Sequence, residues 1–558
     1  MRVRNLLLFG TVVASAFVIA TGPYFVEVQA QSAAGLTGKV TSAEEGPMEG
    51  VVVSARKDDS TMTVSAVSDK QGHFSFPASR LEPGRYTLKA RAVGYDLDGS
   101  NAVDVATGKV AEADLKLKKT RNLSAQLTNA EWLLSLPGTD EHKKFLLNCN
   151  GCHTLERIVK STHTAEEFLQ VFERMGTYYP GSTPTKPQRL VGTARRMGPT
   201  RGGNAEMVAR WLSTVNLSQQ ETRQYPLKTL PRLTGKSTQV IITEYDLPRP
   251  ETQPHDVIVD EKGIIWYADF GQMFLGSMDP KTGKVTEYPI PETKKGFPVG
   301  ALDLEADKQG NIWVGVMYQA SIAKFDKKTA TFQSWSVPKE WDTDAAQLGH
   351  LAVGNSAVDG KVWIKNSDGT KIYRLDLATG KMEDLGAPVD PATGNRIGTY
   401  GLHSDSKNNI YLLDFAAGNI GKFDAKTKAF SVYPTPTPMS RPRRGRVDSQ
   451  DRLWFAEYGG NAIGMLDPAS GRIQEWKVPT PWSAPYDAVA DKNGDAWTGS
   501  MLTDRIARLN TKTGQFTEYP LPRSTNIRRV FVDDTRNPGT LWVGSNHGAS
   551  IVKVEPLE

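Results

Sequence analysis

From Gln239 onward, apolar and polar residues alternate in runs of about five, separated by turn residues. A period of two is the signature of strands with one buried face. The runs also repeat as a set: GIIWYADFGQMFLGSMDPKTGKVTEYPIP (263–291), RLWFAEYGGNAIGMLDPASGRIQEWKVP (452–479) and DAWTGSMLTDRIARLNTKTGQFTEYPLP (495–522) align on their aromatics. The anchors are Trp266, Trp313, Trp363, Tyr411, Trp454, Trp497 and Trp542, spaced 43 to 50 residues apart. That is the period of a four-stranded propeller blade. The last repeat stops at IVKVEPLE without its outer T-E-Y-P-L-P strand, and the missing piece stands at the front as VIITEYDLP (240–248). The first strand is therefore expected to complete the final blade and to pair its open edge. Residues 238–558 read as a seven-bladed β-propeller.

Residues 35–119 alternate in the same way but without that repeat, and Gly46-Pro47 and Asp69-Lys70-Gln71-Gly72 supply turn chemistry. Gly38-Lys39-Val40, Gly50-Val51-Val52-Val53, Gly72-His73-Phe74, Gly84-Arg85-Tyr86 and Gly94-Tyr95 resemble the carboxypeptidase regulatory-like domain. That resemblance implies a small β-sandwich with an accessory role.

Between these lies 122–217, where the spacing turns helical in AEWLLSL and HKKFLLN. Both cysteines of the chain fall here, in Cys149-Asn150-Gly151-Cys152-His153. The spacing C-x-x-C-H is a c-type haem attachment signature: two thiols meet the vinyl groups of one porphyrin edge, and the histidine ligates iron. A thioredoxin-like dithiol needs a βαβ pattern, and zinc needs further Cys or His ligands nearby; neither is seen. The segment resembles a small all-α monohaem cytochrome c domain, with Cys149 and Cys152 for covalent haem c and His153 on iron. For the sixth ligand, Thr164-Ala165-Glu166-Glu167 opens a helix that places Phe168, Val171, Phe172 and Met175 on one face. Met175 is the expected ligand, Met197 in ARRMGPTRGG its alternative, and His163 a weaker one.

Strand alternation also predicts what faces the propeller's central opening. One ring holds Asp256, Asp303, His350, Gly401, Arg444, Asp487 and Arg529; one position earlier stand His255, Tyr400, Arg443, Tyr486 and Arg528. Three residues after the aromatics come Asp269, Asn366, Asp414, Glu457, Ser500 and Ser545. Either Asp and Arg pair across the channel, or Asp256, Asp303, Arg443, Arg444, Asp487, Arg528 and Arg529 form a pocket for a polar or anionic ligand. His255 or His350 then exchanges protons.

Pro254-His255-Asp256, Asn311-Ile312-Trp313, Leu453-Trp454-Phe455-Ala456-Glu457 and Gly460-Asn461-Ala462-Ile463-Gly464 resemble the virginiamycin B lyase (streptogramin lyase) propellers. That resemblance implies a lactone ester opened by elimination, using histidine, glutamate and magnesium. His255, His350 and Glu457 are the catalytic candidates it suggests. The family's second histidine, shortly after the glutamate, is not found: Tyr458-Gly459 follow Glu457.

Charge and the N-terminus narrow the setting. The net charge is +5 over 558 residues, with no long basic block, so nucleic acid is not implied. MRVRNLLLFGTVVASAFVIATG reads as a signal peptide within 1–30, and no other segment is apolar enough to span a bilayer. The expectation is a mainly β multidomain chain, periplasmic or secreted: β-sandwich, small all-α cytochrome c domain and propeller. Its first expected function is electron transfer by the haem, with the propeller binding a periplasmic redox partner or a small polar substrate. The alternatives are a lyase-like enzyme with an appended cytochrome and a non-catalytic docking module for a periplasmic dehydrogenase.

Overall fold

The computed structural model describes residues 34–197, 204–219 and 222–557. Residues 1–30, expected from the sequence to be a signal peptide, lie outside them. Among the described residues no helix is long and apolar enough to cross a membrane.

Seven four-stranded antiparallel units follow one another from Pro254 to Pro556. Blades 1 to 6 span 254–289, 302–336, 348–384, 399–434, 442–477 and 485–520. Blade 7 takes three strands from 527–556, and its fourth is Val240–Asp246, paired antiparallel with Ser550–Pro556. The innermost strand of each blade touches that of the next, and blade 7 touches blade 1, so the ring is closed.

The sequence repeats its reason for forming a blade. Asp260, Asp307, Asp448 and Asp491 each cap a tight turn by accepting backbone N–H groups two and four residues on. The second carboxylate oxygen of each accepts the indole N–H of Trp266, Trp313, Trp454 or Trp497 at 2.9–3.0 Å. One acidic residue thus fixes both the hairpin turn and the core aromatic, and the blades stack on those aromatics.

The sandwich is not a free accessory. Its strand Met62–Val67 pairs antiparallel with Val240–Asp246, so blade 7 and one sandwich sheet form a continuous eight-stranded sheet. The edge of blade 7 is thereby covered.

The expectation of a separate all-α domain needs correction. The segment forms short helices: α1 (Asn129–Ser135), α2 (Asp140–Leu146), α3 (Glu156–Val159), α4 (Ala165–Met175) and α5 (Ala205–Val215). Thr128–Glu131, Thr139–His142 and Thr164–Glu167 make capping boxes that start α1, α2 and α4. The helices share their core with the propeller. Trp132, Leu133, Phe168, Phe172, Val208 and Leu212 share one apolar cluster with Tyr458, Tyr486, Met501 and Leu502 of the propeller. Helices this short are marginal alone, so tertiary burial must hold them. They form a cap on the propeller's mouth.

Candidate functional site

The channel is lined by two rings because every inner strand is bulged. Register slips occur between Pro254 and Asp256, Leu302 and Leu304, Leu348 and His350, Thr399 and Leu402, Pro442 and Gly445, Pro485 and Ala488, and Ile527 and Val530. A bulge breaks strict alternation, so consecutive residues both aim inward.

The lower ring is a buried ion network. Arg444 makes two 3.0 Å bonds to Asp256 and one of 2.5 Å to Asp303. Arg529 reaches Asp256 at 2.8 Å and Asp303 at 3.2 Å, and it also donates to the Leu304 carbonyl. Asp256 and Asp303 accept the backbone N–H groups of Leu304 and Leu351 in the next blades. Burial alone would raise both carboxyls, yet Arg444 and its neighbours hold them below the usual carboxylate range. Arg444 and Arg529 are therefore committed to carboxylates. Asp487 accepts from Val530 N–H at 3.2 Å, and burial raises its carboxyl.

The upper ring is aromatic and cationic. The Arg443 guanidinium lies 4.0 Å from the Tyr486 ring, 4.6 Å from Tyr458, 4.7 Å from Phe415 and 4.9 Å from Tyr400. Beneath it runs a hydrogen-bonded chain. Asp256 Oδ1 lies 2.5 Å from His255 Nδ1, which assigns the proton to Nδ1 and leaves Nε2 to accept from the Tyr486 hydroxyl at 3.0 Å. Tyr486 in turn shares a short hydrogen bond with the Tyr400 hydroxyl. Burial raises the Tyr486 phenol and lowers His255 to about 3, so the imidazole is neutral at neutral pH. Tyr400 is different. Burial opposes its ionisation, but Arg443, Tyr486 and Arg528 outweigh burial and bring its phenol below the ordinary tyrosine value. His350 stacks edge-on against Tyr400, with ring centroids 4.9 Å apart, and burial lowers it to about 4.

Lys365 was not among the residues expected from sequence. It is 5% exposed, its ammonium lies 5.5 Å from the Tyr400 ring, and burial lowers it to about 8. A signal was present. Two residues after the anchoring aromatic the other blades carry Ala268, Gly315, Leu413, Ala456, Gly499 and Gly544. A lysine among small and apolar residues is the exception in that register.

Glu457 does not join His255. Residues three after the aromatic brace the loops between strands: Asp269 accepts from Gln253 and Gly271 N–H, Asn366 from Gln347 and Asp368, Asp414 from Gly398 and Ala416. Glu457 holds that position in blade 5. Its neighbours are Ser440 and Glu475, and burial first, then Glu475, raise its carboxyl to about 9.

The cap sits over this mouth on two feet. Arg528 donates to the Gly151 carbonyl at 2.9 Å, Asn526 to that of Asn150 at 3.3 Å, and Tyr458 to that of Leu147 at 2.6 Å. His547 lies 3.4 Å from the Gly151 carbonyl, and burial lowers it to about 4. On the other side Tyr179 donates to Phe270, Gln253 to Gly181, and Gln188 to Gly271 and Val299. Blades 5 to 7 and blades 1 to 2 are thus gripped.

Over blade 4 a cleft of about 510 Å³ stays open, lined by Asn148, Gly398, Tyr400, Phe415, Met439 and Arg441, among others. Two residues before Tyr400 stands Gly398, in the register where other blades carry Gln253, Gly300, Gln347, Arg441, Ala484 and Asn526. The half-buried Tyr400 lines the cleft, so it connects the buried chain to the outside.

The cysteine turn has reduced, unbridged thiols, and burial raises Cys149 to about 12. His153 Nδ1 lies 3.0 Å from the Thr154 carbonyl, which leaves Nε2 available. Free adjacent thiols and an oriented imidazole fit covalent haem. Met175, expected on the buried face of α4, is 37% exposed, because the helix ends there and the chain turns off through Gly176. Met197 ends a 3-10 turn, and its side chain lies outside the described residues. His163 stands beside Glu167 and Phe168. The magnesium expectation fits poorly. The channel carboxylates Asp256 and Asp303 are taken by arginines, and no cluster of three His, Cys, Asp or Glu suited to a metal occurs among the described residues.

Comparison with known proteins bears on the propeller and the sandwich. Residues 390–557 match the Virginiamycin B lyase family, and residues 35–118 match the carboxypeptidase regulatory-like domain. The chain is thus virginiamycin B lyase-like in its last blades and carboxypeptidase regulatory-like in its first domain. Among solved structures, virginiamycin B lyase from Staphylococcus aureus is 24% identical, covering 56% of this chain and 98% of its own, with TM-score 0.48. A streptogramin B lyase is 22% identical, covering 58% and 99%, also with TM-score 0.48. No curated protein matches the chain.

Electron transfer as the chain's function is thereby corrected. The family matched on the propeller is a lyase family, and the helical segment is a cap on that propeller rather than a separate cytochrome fold.

Proposed function

We propose that the propeller is a lyase-like enzyme that opens an ester by elimination, with Tyr400 as the base. The family match over 390–557 supports the reaction class. The observation that carries it is the Tyr400–Tyr486–His255 chain beneath Arg443, opening through Tyr400 alone onto the cleft. The Tyr400 phenolate, held by Arg443, takes the proton from a carbon next to a carbonyl. The electron pair of that C–H bond forms the C=C bond, the C–O bond to the ester breaks, and a carboxylate leaves. Lys365 and Arg443 supply positive charge near the carbonyl as its oxygen becomes negative. Tyr486 and His255 relay the proton and touch no substrate.

The test separates elimination from hydrolysis. The full chain, incubated with cyclic depsipeptide lactones, yields a linear product of unchanged mass carrying a new carbon–carbon double bond. A product that gains one water, or no turnover across the panel, overturns the proposal.

The thiol turn supports a second reading, an appended haem site. Cys149 and Cys152 would hold a porphyrin edge and His153 its iron, and the group would take no part in the elimination. Protein matured with haem-attachment machinery keeps its pigment through acid–organic extraction, and C149S/C152S loses it. Pigment extractable from the unaltered chain sinks this assignment. The N-terminal MRVRNLLLFG supports export, where such attachment takes place.

A further inference from the structure

Five arginines of the channel and its mouth are of unequal standing. Arg444 and Arg529 are neutralised by Asp256 and Asp303. Arg528 is spent on the Gly151 carbonyl of the cap and on Asn526 beside it in blade 7. Arg441 and Arg443 make no carboxylate pair among the described residues. Arg443 is walled in by four rings and donates toward Met501 sulfur. Arg441 lies in the cleft wall, 4.1 Å over the Phe415 ring, with a 3.3 Å bond to Asn148 and one of 3.4 Å to the Phe415 carbonyl. It is partly buried, and that burial lowers its pKa, so its charge is under-solvated. A guanidinium in an aromatic wall, without an acidic partner, is a receptor for a planar anion.

The cleft has the matching shape. Phe415, Tyr400 and Met439 give it apolar walls, and Gly398 keeps its floor open. A Cβ at Gly398 would stand 2.5 Å from Ala416 Cβ and 2.9 Å from Asp414, so any side chain there must push into the cleft. Among the described residues the cap grips blades 5 to 7 and 1 to 2, and the cleft over blade 4 gives access to Tyr400.

We infer that the cleft over blade 4 is a carboxylate subsite, in which Arg441 holds the carboxylate and Phe415 and Tyr400 pack against its apolar substituent. The inference rests on the lyase-like reading for its role: the carboxylate is the group released when the ester C–O bond breaks. Binding itself needs no turnover. Arg441 thus sets which esters are accepted, favouring an aryl or alkyl acid as the leaving group over a polar one.

Phenylacetate is the probe, with phenylacetamide as its neutral counterpart and the full chain as receptor. Calorimetry is expected to show saturable binding of phenylacetate and at least about tenfold weaker binding of the amide, since a charge-assisted hydrogen bond is lost. Arg441→Gln is expected to remove that preference and Arg441→Lys to restore part of it. Gly398→Leu is expected to abolish binding of both at some cost in melting temperature, since its Cβ meets Ala416 Cβ at 2.5 Å, whereas Arg441→Gln, with no such clash, should keep the melting temperature and show that its own loss is not unfolding. Equal affinity of acid and amide, or binding that survives both Arg441→Gln and Gly398→Leu, overturns the subsite. Binding as expected with no lactone opened overturns the elimination and leaves the subsite standing. Lactone opening unaffected by phenylacetate at saturating concentration overturns the assignment of the carboxylate as leaving group.

Discussion

Arg444→Met is expected to destabilise the propeller by about 3–5 kcal/mol, the cost of removing one partner from a buried ion network. The methionine fills most of the volume but leaves Asp256 and Asp303 facing each other with only Arg529 between them. The four charged groups come from blades 1, 2, 5 and 7, so one substitution acts across the whole channel. Arg444→Lys is expected to recover little, because an ammonium cannot make the paired contact to Asp256. The dependence on pH gives the sign. Asp256 and Asp303 have folded pKa values below the unfolded Asp value of about 3.9, so their contribution is present above that value. It is lost as pH falls through the folded pKa. Removing Arg444 lets both carboxyls rise, so the variant loses its remaining stabilisation at a higher pH. The gap between the two proteins should be widest near neutrality and should narrow in acid, where protonated carboxyls no longer need the guanidinium. Thermal unfolding at several pH values measures this. A variant as stable as the unaltered chain at neutral pH shows that the network does not hold the ring. The partner variant Asp256→Asn should be strongly non-additive with Arg444→Met, as groups in one network are.

The propeller is legible in the chain because most blades repeat one solution, an acidic turn residue with an aromatic six positions on, and blades 1 and 6 also share an outer T-E-Y-P strand. The misplaced strand at 240–246 shows in the same alignment. The ring of Asp and Arg was visible, and pairing across the channel was one of two readings of it, but which side chain meets which was not. Bulges in all seven inner strands decide which neighbour meets which, and no sequence pattern marks them. Glu457 stands in a family-like motif, and its register is that of Asp269 and Asp414, which brace loops, but its own carboxylate oxygens accept no hydrogen bond there. The cap was harder still. Its helices have ordinary capping boxes and apolar spacing, but the surface that completes their core comes from Tyr458, Tyr486, Met501 and Leu502, more than two hundred residues later. A C-x-x-C-H motif describes the local turn and says nothing of what the turn rests on. Consequently the helices read as a domain of their own, and the cleft they leave over blade 4 could not be foreseen.

Tyr400→Phe is expected to cost about 10²–10⁴ in turnover, the range for loss of a positioned proton-transfer group. The ring and its contacts with Phe415, His350 and Arg443 remain, so KM should change little and the loss should fall on kcat. His255→Ala should behave differently. It removes the acceptor for the Tyr486 hydroxyl but leaves Tyr400 beside Arg443, so Tyr400 can still ionise. The turnover limb that rises with Tyr400 deprotonation should then move to lower pH, because the Tyr486 hydroxyl, no longer engaged by His255, can donate to the Tyr400 phenolate and stabilise it. A Tyr400→Phe enzyme with unaltered kcat would remove Tyr400 from the chemistry. A His255→Ala enzyme that loses all activity with an unshifted pH limb would make His255 the base instead. That second outcome is hard to reconcile with a 0% exposed imidazole whose two ring nitrogens are taken by Asp256 and Tyr486. Neutral at neutral pH and walled off from the cleft, His255 reaches a substrate through two phenols, and the phenol at the cleft is the one whose proton the surrounding arginines loosen.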